Sequence, residues 1–222
     1  MDHLQNELKK EFQIERMILF SDAVFAIALT LLVIDLKVPE IPKQLVTDGK
    51  LLEALDELIP KFFGFSVSFV FIGAFWIIHH RMFGYVVNYD RKLLVLNLVF
   101  LFSIVLMPFS TAFFGAFFLH ILKTPYIFYA ANILFLSIMN TLLWSHISNP
   151  KNKLSEDLDP RVARYHLVRS IIMPFMFLSC FLVYMFFPPK YAVIVALIAA
   201  VVMRRVIGMY SKKIKNQISH PN

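Results

Sequence analysis

Residues 16–35 read R-M-I-L-F-S-D-A-V-F-A-I-A-L-T-L-L-V-I-D, an apolar stretch of membrane-spanning length with Ser21 and Asp22 set inside its first turns. A carboxylate in such a segment is costly in hydrocarbon, so it must face protein or water, and it marks a candidate functional site. A spanning helix needs about 20 mainly apolar residues. Six windows meet or approach that length: 17–36, 59–78, 93–119, 126–146, 168–187 and 191–207. The sixth is the weakest, because Arg204 and Arg205 have to snorkel to the interface. In the third, Pro108 followed by Gly115 predicts a kink or an early stop. Tyr126, Tyr129, Trp144, Tyr184 and Tyr191 fall near span ends, where interfacial aromatics gather. No internal repeat or low-complexity linker divides the chain, so residues 1–222 read as one all-α integral membrane domain.

Composition narrows the classes further. A chain that is 59% apolar and 17% charged is outside the range of soluble domains. The net charge of +7 does not point to nucleic acid, because that requires Lys and Arg on one soluble face, and here they lie in short segments between apolar windows. The single cysteine, Cys180, reads as a packing residue. Glu7, Glu11 and Glu15 interleave with Lys9, Lys10 and Arg16, a pattern expected of a soluble helix running into the first span rather than a signal peptide.

Six spans put both termini on one side, and basic residues identify it. Sixteen of the 22 Lys and Arg fall in the N-terminus, the second-to-third and fourth-to-fifth connections and the C-terminus, against six on the opposite side. The positive-inside rule then makes both termini cytoplasmic. The outer first loop holds Asp35, Glu40, Asp48, Glu53, Asp56 and Glu57. This reads as a solvated amphipathic segment, or as an acidic outer mouth that concentrates cations.

On the first span, Leu31, Ile34, Thr30 and Ala23 fall within roughly 60° of Ile27 at about 100° per residue, whereas Asp22 and Ser21 lie roughly 140° and 120° away. An aliphatic stripe of this kind is usually lipid-facing or packed. Were it to line a path, Ile27, Leu31 and Ile34 would form a hydrophobic constriction that gates by dewetting, and Thr30 would offer hydroxyl oxygens to a cation. One helix encloses nothing, so that reading requires a symmetric oligomer. Asp22 needs a partner, and Trp76, His79, His80, Asn97 and Arg16 all fall at its membrane level. They read as a structural hydrogen-bond network; the alternative is a proton relay serving a proton-coupled transporter or proton channel through Asp22 and the His79/His80 pair. Enzyme chemistry lacks a basis in the sequence: no H-E-x-x-H occurs and Asp22 is the only deep aspartate. No cofactor is expected.

The stretch R-M-I-L-F-S-D (Arg16 to Asp22) resembles the R-x-x-x-F-S-D signature of the transmembrane protein 175 family of potassium channels. The similarity extends through F-A-I-A-L-T-L-L-V-I-D-L, F-W-I-I-H-H-R-M-F, Y-D-R-K-L-L-V-L-N-L-V-F-L and M-P-F-S-T, all in the first half of the chain. The resemblance implies a homotetramer of six-span subunits in lipid, with the first helix lining a central pore for monovalent cations and no P-loop; T-V-G-Y-G is indeed absent. Carried onto matching positions, Ile27, Leu31 and Ile34 would form the constriction with Thr30 on the same wall, while Arg16, Ser21, Asp22, Trp76, His79 or His80, and Asn97 would tie the first three helices together. Potassium, with modest selectivity, is the permeant ion that the resemblance implies.

Overall fold

Short capping side chains decide where three of the helices begin. Thr47 accepts a hydrogen bond from the Lys50 amide at 3.2 Å, Asp90 from that of Leu93 at 2.6 Å, and Asp159 from that of Arg161 at 2.7 Å. Each side chain satisfies one of the amides that a helix start leaves unpaired, and Pro160, which has no amide to satisfy, follows Asp159. The resulting helices are α1 (Asp2–Leu31), α2 (Asp48–Phe83), α3 (Arg91–Ala116), α4 (Lys123–Ile147) and α5 (Pro160–Phe186). A computed structural model describes residues 2–117, 122–156 and 158–187, with single positions between 194 and 209. Among the described residues, all 5 helices are long and apolar enough to cross a membrane, and no strand forms beyond the single Val86–Ser155 bridge. The sixth expected span, 191–207, and Tyr191 lie outside the described residues, apart from those single positions.

Helix lengths differ from the sequence windows for physical reasons. α2 has 36 residues, about 54 Å at 1.5 Å per residue, well beyond a hydrocarbon core of about 30 Å. Its first turns, with Asp48, Glu53, Asp56 and Glu57, therefore overrun the apolar layer as a continuous helix. α3 runs through Pro108 and ends at Ala116, one residue after Gly115. A 3-10 turn, Leu32–Asp35, continues α1 to the end of the first apolar window.

α3 occupies the centre, packing against α1, α2 and α4, and α5 packs on α4. Its buried side chains, Leu93, Asn97, Phe100, Leu101, Ile104 and Met107, face three neighbours. Polar pairs pin the contacts: the Ser68 and Tyr129 hydroxyls lie 2.9 Å apart, with Thr111 Oγ1 2.7 Å from Ser68. Asn132 donates to the Ser103 carbonyl at 3.2 Å, and Thr141 to that of Ser170 at 2.8 Å. Two of the expected interfacial aromatics are core residues instead. Tyr129 is buried against Ser68, and Trp144 is buried with its indole N–H donating to the Ala163 carbonyl at 3.0 Å. Their polar tips find helix partners, so they do not need the headgroup layer. Tyr126 stacks on Tyr184 with ring centroids 3.6 Å apart.

The α2–α3 and α4–α5 connections are clamped together. Val87 N–H donates to the Leu154 carbonyl at 2.9 Å. The His146 imidazole meets both Asp90 carboxylate oxygens, at 3.1 and 2.9 Å, and its other ring nitrogen accepts from Asn152 at 3.0 Å. Partial burial pushes the Asp90 carboxyl up, but the Leu93 amide and His146 outweigh it and hold the group below its ordinary value. A carboxyl lowered in this way adds stability that is present above its unfolded value and lost as pH falls through the folded one. Asp90→Ala is expected to cost about 1 kcal/mol as a lost helix cap. Thermal unfolding of the solubilised protein should show the gap to wild type at neutral pH and its narrowing as pH falls below the ordinary carboxylate range.

Candidate functional site on the first helix

The two faces of α1 have different surroundings. Ser21, Phe25, Ala28 and Leu32, spaced four, three and four residues apart, are buried, a near-heptad seam set against α2 and α3. On the other side Ile27 is 58% exposed, Leu31 41% and Ile34 64%, and Ala23 and Thr30 are exposed with them. Ile34 does not follow the α-helical wheel. It sits in the 3-10 turn, where side chains three apart eclipse, so it stands over Leu31 and prolongs the aliphatic stripe. Thr30 Oγ1 donates to the Ile27 carbonyl at 2.8 Å; its proton is thereby engaged and its lone pairs are left to face outward. Asp35 closes the 3-10 turn, half-buried.

Behind that stripe the polar residues form two separate contacts. In the first, Ser21 Oγ donates to the Met17 carbonyl at 2.9 Å and accepts from Asn97 Nδ2 at 3.0 Å. Asn97 Oδ1 lies 2.9 Å from His79 Nε2. Because the serine proton is committed to Met17, the asparagine must present its amino group to Ser21 and its carbonyl to His79. His79 is therefore the donor, through Nε2–H. Its ring is 1% exposed, stacked on Phe83 at 4.1 Å and Phe100 at 5.4 Å, with Phe25 at 5.6 Å. One asparagine on α3 thus joins α1 to α2.

In the second contact, Trp76 Nε1 donates to Asp22 Oδ1 at 2.9 Å, and His80 lies against the Trp76 ring at 5.7 Å. Trp76 and His80 are exposed on the subunit surface, whereas His79 is buried. The expected single face of Trp76, His79 and His80 is therefore split between two environments. The carboxylate of Asp22 is bonded by the indole and by neither imidazole. Arg16 is also apart from the carboxylate: it is exposed, with its guanidinium 5.8 Å from the Phe12 ring centroid. The aromatic enclosure of His79 is not foreseen by the sequence reading. The signal for it was Phe25, one helical turn after Ser21 on the same face.

Long apolar helices joined by polar side chains define a multi-pass helical membrane protein. The family described as endosomal/lysosomal potassium channel TMEM175 matches residues 16–108, the segment that holds both polar contacts. A Streptomyces collinus protein named a potassium channel is 44% identical over 42% of this chain and 43% of its own length, so the match spans less than half of that relative. A Chamaesiphon minutus protein, also named a potassium channel, is 32% identical over 69% of this chain and 75% of its own. The crystal structure of a lysosomal potassium-selective channel TMEM175 homolog from Chamaesiphon minutus superposes with a TM-score of 0.71 at 26% identity, covering 88% of this chain and 98% of that one. The chain belongs to the TMEM175 family.

The Asn97 bridge and the Asp22–Trp76 bond are expected to differ in weight. Asn97→Leu strands a buried imidazole N–H, at about 1–3 kcal/mol. Trp76→Phe leaves a carboxylate that reaches the subunit surface and is expected to cost less in the isolated subunit. Thermal unfolding of the two solubilised variants checks the order.

Proposed function

We propose that this chain is the subunit of a potassium-permeable, modestly selective cation channel, a symmetric homotetramer in which four copies of α1 surround the ion path. The observation that carries this reading is the unshared aliphatic stripe. α1 buries one seam against its own subunit, yet leaves Ile27, Leu31 and Ile34 uncovered beside an outward-facing Thr30 oxygen. A continuous exposed apolar patch marks a membrane or subunit contact, and rings of such side chains around an axis make a constriction that gates by dewetting. The Streptomyces and Chamaesiphon relatives are named potassium channels and the superposed homolog is described as potassium-selective, which supports potassium as the permeant ion.

In this reading the polar contacts have a positioning role. Ser21, Asn97 and His79 fix the rotation of α1 about its axis, and Asp22 with Trp76 and His80 fixes it a second time nearer the subunit surface. Arg16 contributes from the first turns of the span. Asp35 stands at the outer mouth, where the acidic start of α2 raises local cation concentration. The subunit has six spans, the last over 191–207, with both termini in the cytoplasm of a prokaryotic cell, in the plasma membrane.

Reconstituted into liposomes, the protein is expected to pass rubidium passively, with no need of a proton gradient; flux that saturates and requires one would replace the channel by a transporter. Ile27→Asn should hydrate the constriction, raising conductance and weakening potassium-over-sodium discrimination in bilayer recordings. An unchanged reversal potential and conductance would remove Ile27 from the narrowest point. Asp22→Ala is expected to lose tetramers on native mass measurement more readily than it alters ion preference.

A further inference from the structure

α2 carries an apolar stripe that its own subunit leaves uncovered. At about 100° per residue, Leu51, Leu52, Ile59 and Phe62 fall within roughly 60° of Leu55, and all five are between 41% and 63% exposed. Glu53 and Glu57 lie roughly 160° from Leu55, on the opposite face. Towards the membrane the stripe walls a largely apolar groove of about 660 Å3, closed on its other side by residues 36–39. Acyl chains do not reach the upper part. Arg81, in the last turn of α2, marks the cytoplasmic edge of the hydrocarbon, and a core of about 30 Å takes about 20 residues to cross. The layer therefore ends near Lys61, and Leu55, Leu52 and Leu51 stand about 9–15 Å above it. A run of exposed leucines in water marks a protein contact.

The connection between α1 and α2 presents a surface that complements this stripe. Val38 is 86% exposed, and Leu45 and Val46 are exposed at the 3-10 turn Lys43–Leu45, directly before the Thr47 cap. The same connection carries Lys37 and Lys43. The stripe is bordered by carboxylates, Asp48 at roughly 20° and Asp56 at roughly 100° from Leu55. Within this outer segment Lys50 pairs with Glu53; among the described residues, Lys37, Lys43, Asp48 and Asp56 have no ion pair inside the subunit. A basic apolar connection and an acid-bordered apolar stripe are different patches of one chain. Their contact is heterologous, and contacts of that kind close into rings. Rotation about the membrane normal preserves height, and both patches stand at the outer end of the subunit, so fourfold symmetry brings like levels together.

We propose that the α1–α2 connection of one subunit docks on the α2 stripe of the next, an inference that rests on the homotetramer reading and adds to it an interface outside the hydrocarbon. The partner subunit's Val38 enters the groove, and the partner subunit's Leu45 and Val46 cover Leu51 and Leu52. Asp48 and Asp56 then meet the partner subunit's Lys43 and the partner subunit's Lys37, each at its own level. Glu53 and Glu57, on the far face of α2, stay in solvent. Residues 36–38 directly follow Asp35, so this contact holds the outer end of α1 from above the lipid.

Disulfide trapping in liposomes tests the contact, in a Cys180→Ala background that removes the single native cysteine. The double variant Leu45→Cys with Leu52→Cys is expected to give covalent oligomers up to the tetramer on a non-reducing denaturing gel after mild oxidation. Leu45→Cys with Glu53→Cys, whose second cysteine lies on the opposite face, should stay monomeric. Native mass spectrometry in detergent gives an independent reading: Leu52→Glu with Leu55→Glu should lower the tetramer-to-monomer ratio about tenfold, because the docked leucines become buried charges. Both leucines are exposed in the subunit, so its helix content should be unchanged. Lys37→Glu and Asp56→Lys should each lower the ratio severalfold, and the two together should restore it. If wild type is tetrameric and passes rubidium, yet the cysteine pair gives only monomers and the glutamate pair keeps its tetramers, the contact is overturned and the channel reading stands. A wild type that is monomeric and passes no rubidium removes both.

Discussion

In a hydrocarbon layer a polar side chain on a helix must find a partner on a neighbouring helix or reach water, because the lipid offers none. That constraint organises this protein. Apolar packing alone does not fix helix rotation in lipid, since a leucine is as well solvated by an acyl chain as by another leucine. The few polar side chains do fix it. Asn97 is the clearest case: its amide bonds Ser21 on α1 with one end and His79 on α2 with the other. Rotating α1 by one residue would replace Ser21 with Phe20 or Asp22 at that point and disrupt the bridge from Asn97 to the buried His79 N–H. The Ser68, Tyr129 and Thr111 hydroxyls and the Asn132 and Thr141 bonds repeat the same logic along α3 and α4.

The rotation set by Asn97 has a consequence on the far side of α1. With Ser21, Phe25, Ala28 and Leu32 turned inward, Ile27 and Leu31 must turn out. The 3-10 turn that begins at Leu32 keeps Ile34 on the same face, eclipsing Leu31. The stripe is thus positioned by hydrogen bonds it does not take part in. Asp22 remains off that line, held by an indole N–H from α2, so the carboxylate and the aliphatic groups are assigned to different neighbours. In the proposed tetramer this separation keeps a fixed negative charge out of the constriction while leaving the acidic outer segment free to attract cations.

Much of this was legible in the residues and some was not. The five described spans are visible as apolar windows, and the candidate partners of Asp22 could be gathered because topology puts them at one membrane level. Their pairing could not be read from spacing. Trp76, His79 and His80 fall within one turn and a little more, and only the packing of α3 against both α1 and α2 decides that His79 goes inward while Trp76 and His80 stay at the surface. Tyr129 and Trp144 misled for the same reason: an aromatic with a polar tip near a span end suits the interface, unless a neighbouring helix presents a hydroxyl or carbonyl at that height. The lengths of α2 and α5 exceed their windows because helix continuity follows capping and backbone bonding, whereas hydropathy reports only the part that sits in lipid.

Sequence by itself determined the class of molecule, the number and approximate place of the described spans, and the angular separation of Asp22 from Ile27 on one helix, because composition, span length and the 3.6-residue period are local properties. Tertiary structure alone decided which polar group bonds which. Those outcomes depend on residues far apart in the chain, such as Ser21 and Asn97 or Asp22 and Trp76, whose meeting is fixed by how whole helices pack and not by any pattern within one of them.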